Sequence, residues 1–201
     1  MSNLFDRYLL FRLRTKRDPL AYAKIYDRYV KALYRFTLLK LPSKEDAQDV
    51  TAEAFTKTWN YLQENHEVGN IRALLYRVAR NLIADYYRSN SIKAESGRVL
   101  VTFDVDIAST YTDGDETIEA RAISGDQGRE REIIEARAEL SLILKQLEKL
   151  KEDYRDVVTL RLVDGLDFED IAEILGKSRG NVRVIYHRAI KAISNRDIGK
   201  N

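Results

Sequence analysis

The chain has 201 residues, 44% hydrophobic and 33% charged, enough apolar residues to bury cores and, at roughly 100 to 200 residues per domain, best read as two small domains. It has no cysteine and only His66 and His187 as imidazoles, which excludes disulfides, thiolate chemistry and cysteine zinc sites and leaves no metal or other cofactor expected. No apolar run approaches the ~20 residues of a membrane span, and Tyr8 to Phe11, set between Arg7 and Arg12, is too short for a secretory signal, so the expectation is a cytoplasmic chain without membrane insertion.

Nine glycines and two prolines, against abundant Leu, Ala, Glu, Lys and Arg, predict an all-α protein. Leu4 to Thr15 reads as a short basic amphipathic helix. Asp18-Pro19 is a helix entrance, with Asp as N-cap and Pro where its missing N–H costs nothing. The helix that follows runs to about Leu41, with Ala23, Tyr26, Tyr29, Val30, Leu33, Phe36 and Leu39 on its apolar face. Ser43 caps the next helix, and Glu45 and Asp46 favour its positive end. That helix runs to about Leu62 and buries Ala47, Val50, Thr51, Ala54, Phe55, Thr58 and Leu62, with Gln48, Asp49, Glu53 and Lys57 outward. A loop from Glu64 to Asn70 precedes a helix from Ile71 to Arg88, whose apolar face is Ile71, Leu74, Leu75, Val78, Ala79, Leu82, Ile83 and Tyr86.

Periodicity is lost from Ser89 to about Gly128, where glycines stand beside an acidic run, and this reads as a linker. Helical pattern returns near Arg129 and passes through Leu140, Leu144, Leu147 and Leu150. It resumes through Val157 to Val163 and Ile171 to Leu175, and a last helix buries Val182, Ile185, Ala189, Ile190 and Ile193. The net charge of +2 conceals segregation. Arg72, Arg77, Arg80, Arg88 and Lys93 oppose Asp85 alone, and Lys177, Arg179, Arg183, Arg188, Lys191, Arg196 and Lys200 oppose Asp197 alone. Basic islands of this kind suit phosphate contacts.

Two constellations carry function. Ala172, Gly176 and Val182 have helix-turn-helix spacing: a small residue where the helices pack closest, a glycine for the positive φ of the turn, and a branched side chain to pin the second helix. Ser178 caps that helix, and Arg179, Asn181, Arg183, Val184, His187, Arg188 and Lys191 face outward with the donors that reach base edges and phosphates. The structural alternative is an αα-hairpin with a solvated basic face. On the Ile71 to Arg88 helix, Arg77, Arg80, Asn81, Asp85 and Arg88 point away from the apolar stripe, with Asp85 and Arg88 able to pair. Tyr86 and Tyr87 add rings beside these cations, and Asn70 lies at the helix's other end. This surface suits single-stranded or distorted DNA, and the structural alternative, which composition alone favours, is a solvated face with core tyrosines.

Asp46-Ala47-Gln48-Asp49-Val50, Glu53-Ala54-Phe55, Trp59 and the run Ile71 to Arg88 resemble region 2 of bacterial extracytoplasmic-function (ECF) sigma factors. Leu147 to Leu150, Arg155 to Val158, Gly165-Leu166, Glu169 to Gly176 and Val182 to Ala189 resemble region 4. The pattern departs from the family at Ala52, Leu74, Lys151, Asn181 and Ile185. The resemblance implies a region 2 helical bundle at 1–93, a flexible acidic linker at 94–130 and a region 4 helix-turn-helix domain at 131–201. The two domains then tumble semi-independently, or pack and mask their basic faces against the linker.

It further implies a promoter-specificity subunit of RNA polymerase that makes and breaks no bond. Gln48, Asp49, Glu53 and Lys57 would meet the clamp region of the largest subunit of core RNA polymerase. Asn70, Arg77, Arg80, Asn81, Asp85, Tyr87 and Arg88 would engage the minus-10 element of promoter DNA and promote its melting. Ser178, Arg179, Asn181, Arg183, Val184, His187, Arg188 and Lys191 would read the minus-35 element, and an anti-sigma factor would be a further partner. Two other readings stand beside it: a polymerase-independent helix-turn-helix regulator, and a protein-binding helical adaptor. An enzyme would need a nucleophile, metal or phosphate loop, and the sequence has no such set.

Overall fold

The structure, a computed structural model, describes residues 4–64, 66–91, 147 and 150–197. The described residues form helices and connecting turns without a strand, in keeping with the composition. No helix among them is long and apolar enough to cross a membrane. The acidic linker and the helical pattern between Arg129 and Leu144 fall outside the described residues. Contact density gathers the described residues 4–91 and 159–184 into one compact unit, and 147–158 and 185–197 into another.

Local capping chemistry sets the helix boundaries of the first unit. Helix α1 spans Leu4–Lys16 and α2 spans Pro19–Leu38, where the Asp18 carboxylate accepts the Leu20 N–H at 3.0 Å and Pro19 sits in the first turn. Helix α3, Lys44–Gln63, begins on Ser43, whose Oγ accepts the Asp46 N–H at 3.0 Å. Helix α4, Ile71–Ser91, begins on Asn70, whose Oδ1 accepts the Ala73 N–H at 3.1 Å. Each cap satisfies an amide that a helix start leaves without a partner.

Apolar faces bring these four helices together. Leu9, Ile25, Leu33, Phe36, Leu75 and Tyr76 are fully buried, and such a side chain contributes about 1.5–3 kcal/mol when removed from water. The Phe36 and Tyr76 rings meet edge to face at 5.1 Å. Helices α2 and α3 approach closely enough for the Thr37 and Thr51 hydroxyls to bond at 2.9 Å, with Thr51 also donating to the Ala47 carbonyl at 2.6 Å. Helix α1 is tied down by its buried Asp6, which accepts the Tyr29 hydroxyl at 2.6 Å.

The buried stripe of α3 is the expected one throughout. That of α2 is not: Ala21, Ile25, Tyr29, Leu33 and Phe36 are buried, whereas Ala23 and Tyr26 face solvent. Helices α1, α3 and α4 all pack on α2, so the face they enclose, rather than the one carrying the most aromatic area, becomes core. On α4, Ala73 and Tyr76 join the core, and Leu74 and Val78 are half-buried.

The second segment of this unit starts with a π-helical turn, Thr159–Val163. Helix α6, Phe168–Leu175, is capped by Asp167, whose Oδ1 accepts the N–H groups of Glu169 and Asp170 at 2.9 and 2.8 Å. Those amides, that of Asp170 foremost, hold the Asp167 carboxyl below the usual range. Gly176 then turns the chain at φ +62, with Lys177 N–H bonded to Ala172 O at 2.9 Å and Gly176 N–H to Glu173 O at 3.4 Å. This is the Schellman arrangement, which satisfies the last carbonyls of a helix. Helix α7, Arg179–Asp197, follows at once, with Val182 buried as its spacing from Ala172 and Gly176 predicts. In the other unit, Leu147, Leu150, Val157 and Val158 are buried around helix α5, Glu152–Val158, and Ala189 is buried on α7.

Between the π-turn and α6 stands Asp164, its side chain wholly buried. The Arg35 guanidinium lies 3.9 Å away and the Tyr76 phenol is its other polar neighbour, yet neither carboxylate oxygen completes a hydrogen bond of good geometry. Burial therefore pushes its carboxyl up to about 7, against the opposing pull of Tyr76 and Arg35.

Three outcomes are expected. Gly176→Ala places a Cβ at positive φ and should cost about 1–2 kcal/mol, lowering the urea midpoint without changing the slope. Gly180→Ala, inside α7 with open space around it, should shift the midpoint the other way by roughly 0.5–1 kcal/mol. For Asp164, the folded chain keeps a proton that the unfolded chain releases from about pH 4. Its contribution is most favourable below that pH and is lost as pH rises through about 7. The stability of Asp164→Asn relative to the parent should therefore increase between pH 5 and 8 in urea denaturation, whereas a constant difference would contradict the burial argument.

Candidate nucleic-acid and protein interfaces

The helix-turn-helix leaves the expected reading face free of the core. Ser178, Arg179, Asn181, Arg183, Val184, His187, Arg188 and Lys191 are all exposed, and Arg179, Arg183, His187 and Lys191 recur every four residues along α7. The Ser178 hydroxyl accepts the Asn181 N–H at 3.2 Å, so it serves as the N-cap and offers its remaining hydrogen to a ligand. This face carries cations, an amide and an apolar Val184, a mixture suited to phosphates, base edges and a thymine methyl.

The α4 surface divides into two parts. Near its C-terminal end Asn81 and Asp85 are exposed, Arg80 is half-buried, and Arg88 donates to Asp85 at 2.6 Å, the pairing expected at that spacing. Tyr86 donates to the Asp46 carboxylate at 3.0 Å and Tyr87 donates to the Lys40 carbonyl. Both hydroxyls are thus committed to the fold; Tyr87 remains 38% exposed, and its ring meets that of Tyr86 edge to face at 5.4 Å.

At the N-terminal end the expected contact residues are occupied. Asn70 is buried, and its Nδ2 donates to Asp170 Oδ1 at 3.1 Å and Glu173 Oε2 at 2.9 Å. Arg77 donates to the Glu173 carbonyl at 3.0 Å. Between them Arg72, which the sequence places in the basic island but not among the residues named for the minus-10 element, donates to Asp170 Oδ2 at 2.9 Å. Its guanidinium carbon lies 5.9 Å from the centre of the Tyr29 ring. Asp170 and Glu173 were legible as acids on an amphipathic helix; their partners, about a hundred residues earlier in the chain, leave no local signal.

The loop before α4 is partly ordered by side chains. His66 stacks on Tyr61 at 4.2 Å and meets Glu64 at 3.0 Å, and Arg14 of α1 reaches Glu67 at 3.3 Å. Arg7, Phe11, Arg14 and Glu67 line an open cleft of about 740 Å³ there. On α3, Gln48, Asp49, Glu53 and Lys57 are all exposed, with Lys57 and Glu53 paired at 3.1 Å. An aromatic ledge joins α2 to α3: of its rings, the sequence placed Tyr26 and Phe55 in the core, and Phe55 is buried there while Tyr26 is exposed. Tyr22 packs on Trp59 at 4.8 Å and Tyr26 on Phe55 at 4.7 Å, and Tyr22, Tyr26 and Trp59 line a shallow groove with Pro19 and Asp27.

Comparison with known proteins places the chain in a family. The family model for Sigma-70 region 2 matches residues 25–92 and that for Sigma-70, region 4 matches residues 140–193, together more than half of the chain. The chain is 28% identical to the ECF RNA polymerase sigma-E factor of Escherichia coli over 195 residues, covering 97% of this chain and 95% of that one. It is 25% identical over 175 residues to the ECF RNA polymerase sigma factor BldN of Streptomyces coelicolor, covering 87% of this chain and 59% of its relative. Among solved structures, CnrH in complex with the cytosolic domain of CnrY shares the fold at TM-score 0.61 and 20% identity, covering 98% of this chain and 99% of that one. The sigma factor RpoE of Bartonella quintana, solved with the anti-sigma factor NepR, does so at 0.58 and 19%, covering 89% and 98%. With both regions present in the family's order, the chain belongs to the ECF group of sigma-70 type RNA polymerase sigma factors.

Proposed function

We propose that this chain is the promoter-specificity subunit of a bacterial RNA polymerase: it binds the core enzyme, recognises minus-35 and minus-10 elements, and promotes melting for initiation. The observation that carries this reading is the pairing of a region 2 bundle with a region 4 helix-turn-helix in one chain, the latter with its basic face in solvent. It acts in the cytoplasm, as region 2, linker and region 4 modules spanning 1–93, 94–130 and 131–201. Its work is binding rather than bond chemistry. Phosphate contacts from basic side chains set position, and a few base contacts set sequence.

Each surface then has a role. Gln48, Asp49, Glu53 and Lys57, in solvent on α3, meet the clamp of the largest polymerase subunit. Asn70, Arg77, Arg80, Asn81, Asp85, Tyr87 and Arg88 take the minus-10 element, with the exposed Tyr87 ring as a stacking platform. Ser178, Arg179, Asn181, Arg183, Val184, His187, Arg188 and Lys191 take the minus-35 element in the major groove. A regulatory partner of anti-sigma type fits the same reading, since the RpoE neighbour is solved with one.

The deciding experiment adds the purified chain to core polymerase and maps transcript starts. Asp49→Lys with Glu53→Lys should abolish co-elution with the core enzyme while circular dichroism stays helical; undiminished co-elution would remove this face from the reading. Tight duplex binding without polymerase, and no stimulated transcription, would favour a conventional helix-turn-helix regulator instead. Within α7, Arg179→Ala should cost ~1–3 kcal/mol at one or two promoter positions. Lys191→Ala should weaken all sequences alike and reduce the salt slope by about one. Identical uniform losses from both, read across a library of upstream elements, would put α7 outside the groove.

A further inference from the structure

Four acceptor oxygens on one turn of α6 meet the donors at the start of α4. Asp170 places one carboxylate oxygen on Asn70 and the other on Arg72, and Glu173 places its carboxylate on Asn70 and its carbonyl on Arg77. The Asp170 side chain is 5% exposed, so this is a built contact rather than a passing surface pair. An amide and a guanidinium converging on the two oxygens of one anion make the geometry by which proteins also hold the non-bridging oxygens of a phosphate. The receptor is held from behind. Asn70 is fixed by capping α4 through Oδ1, and Arg72 lies beside the Tyr29 ring, whose hydroxyl is bound to Asp6. The start of α4 also contributes the partial positive charge of a helix N-terminus.

We infer that Asn70, Arg72 and Arg77 form one receptor for a backbone phosphate of the promoter strand, and that Asp170 and Glu173 of α6 occupy it when no DNA is bound. This rests on the sigma-factor reading and adds two things to it. Arg72 becomes a DNA-contacting residue, and the region 4 segment becomes an internal competitor for the region 2 surface. The competitor is suited to release. Glu173 and Arg77 are exposed, so water and salt reach that end of the contact. Asp164, in the turn that leads into α6, is buried without complete hydrogen bonding, and its rehydration offsets part of the cost of opening.

The test uses the full chain and a fluorescein-labelled single strand of random sequence, about twelve nucleotides long, because a phosphate contact carries no sequence. Anisotropy titrations would run between about 50 and 200 mM salt. Asp170→Asn with Glu173→Gln should bind the strand about tenfold more tightly than the parent at the low end. Glu173→Gln alone, a change at an exposed position, should give a smaller gain in the same direction. Adding Arg72→Ala to the double variant should lower the salt slope by about 0.7, the single-strand value for one phosphate. The inference is overturned if removal of the carboxylates leaves binding unchanged, or if Arg72→Ala leaves the slope unchanged. Transcription with core polymerase, measured on the same proteins, separates the two levels. Active variants with unaltered strand binding would sink the receptor alone, whereas inactivity of the parent chain itself would sink the sigma reading beneath it.

Discussion

Asn70 does two jobs that hold each other in place. Its side-chain oxygen starts α4 by accepting the Ala73 N–H, and its side-chain nitrogen donates to Asp170 and Glu173. An amide has separate donor and acceptor ends, so one residue can terminate a helix and bind carboxylates together. An aspartate there would cap equally well but would set a third negative charge beside two acids. Once Asn70 is fixed, Arg72 and Arg77 follow from helix geometry, five residues apart and close to the same end of α4. The charge chemistry of this surface thus depends on a capping interaction.

Beneath that surface, packing decides which side chains are left to act. Helix α2 is enclosed by α1, α3 and α4, and the enclosed face carries Ile25, Leu33 and Phe36. Tyr22 and Tyr26 are displaced toward solvent, where they pack on Trp59 and Phe55 and form a ledge between α2 and α3. Aromatic rings with a polar tip tolerate that position because part of each ring stays covered. The ledge supplies aromatic area partly open to solvent, the composition of protein interfaces rather than of DNA-binding faces.

Helix α7 follows the opposite logic. Its core contribution is small, with Val182 and Ala189 buried, and its position depends on the turn before it. Gly176 and the Schellman bonds fix how α6 ends, and Ser178 fixes where α7 begins. With the turn carrying the orientation, the remaining positions are free for cations. This division explains why so basic a helix can stay folded: repulsion among its charges is relieved by solvent, and the helix-turn-helix geometry does not rely on them.

The sequence alone was enough for many features governed by helical periodicity or by interactions within one tight turn, though it did not single out the caps at Asn70 and Asp167. The caps at Asp18 and Ser43, the buried stripe of α3, the Asp85–Arg88 pair and the glycine at Gly176 are of this kind. The partners of the caps, the ion pair and the turn lie within six residues, and the α3 stripe follows from helical periodicity, so spacing and residue type suffice. The resemblance to sigma regions was legible for the same reason, being carried by such local patterns in order. Tertiary structure alone decided which face of α2 is core, because that depends on three other helices. It alone decided that Asp164 is buried against Arg35 and Tyr76, and that Asp170 meets Asn70 and Arg72. Those contacts span about a hundred residues, over which no local rule links one acid to one base, and many equivalent pairings on paper become one only when the packed helices bring particular side chains within hydrogen-bond reach.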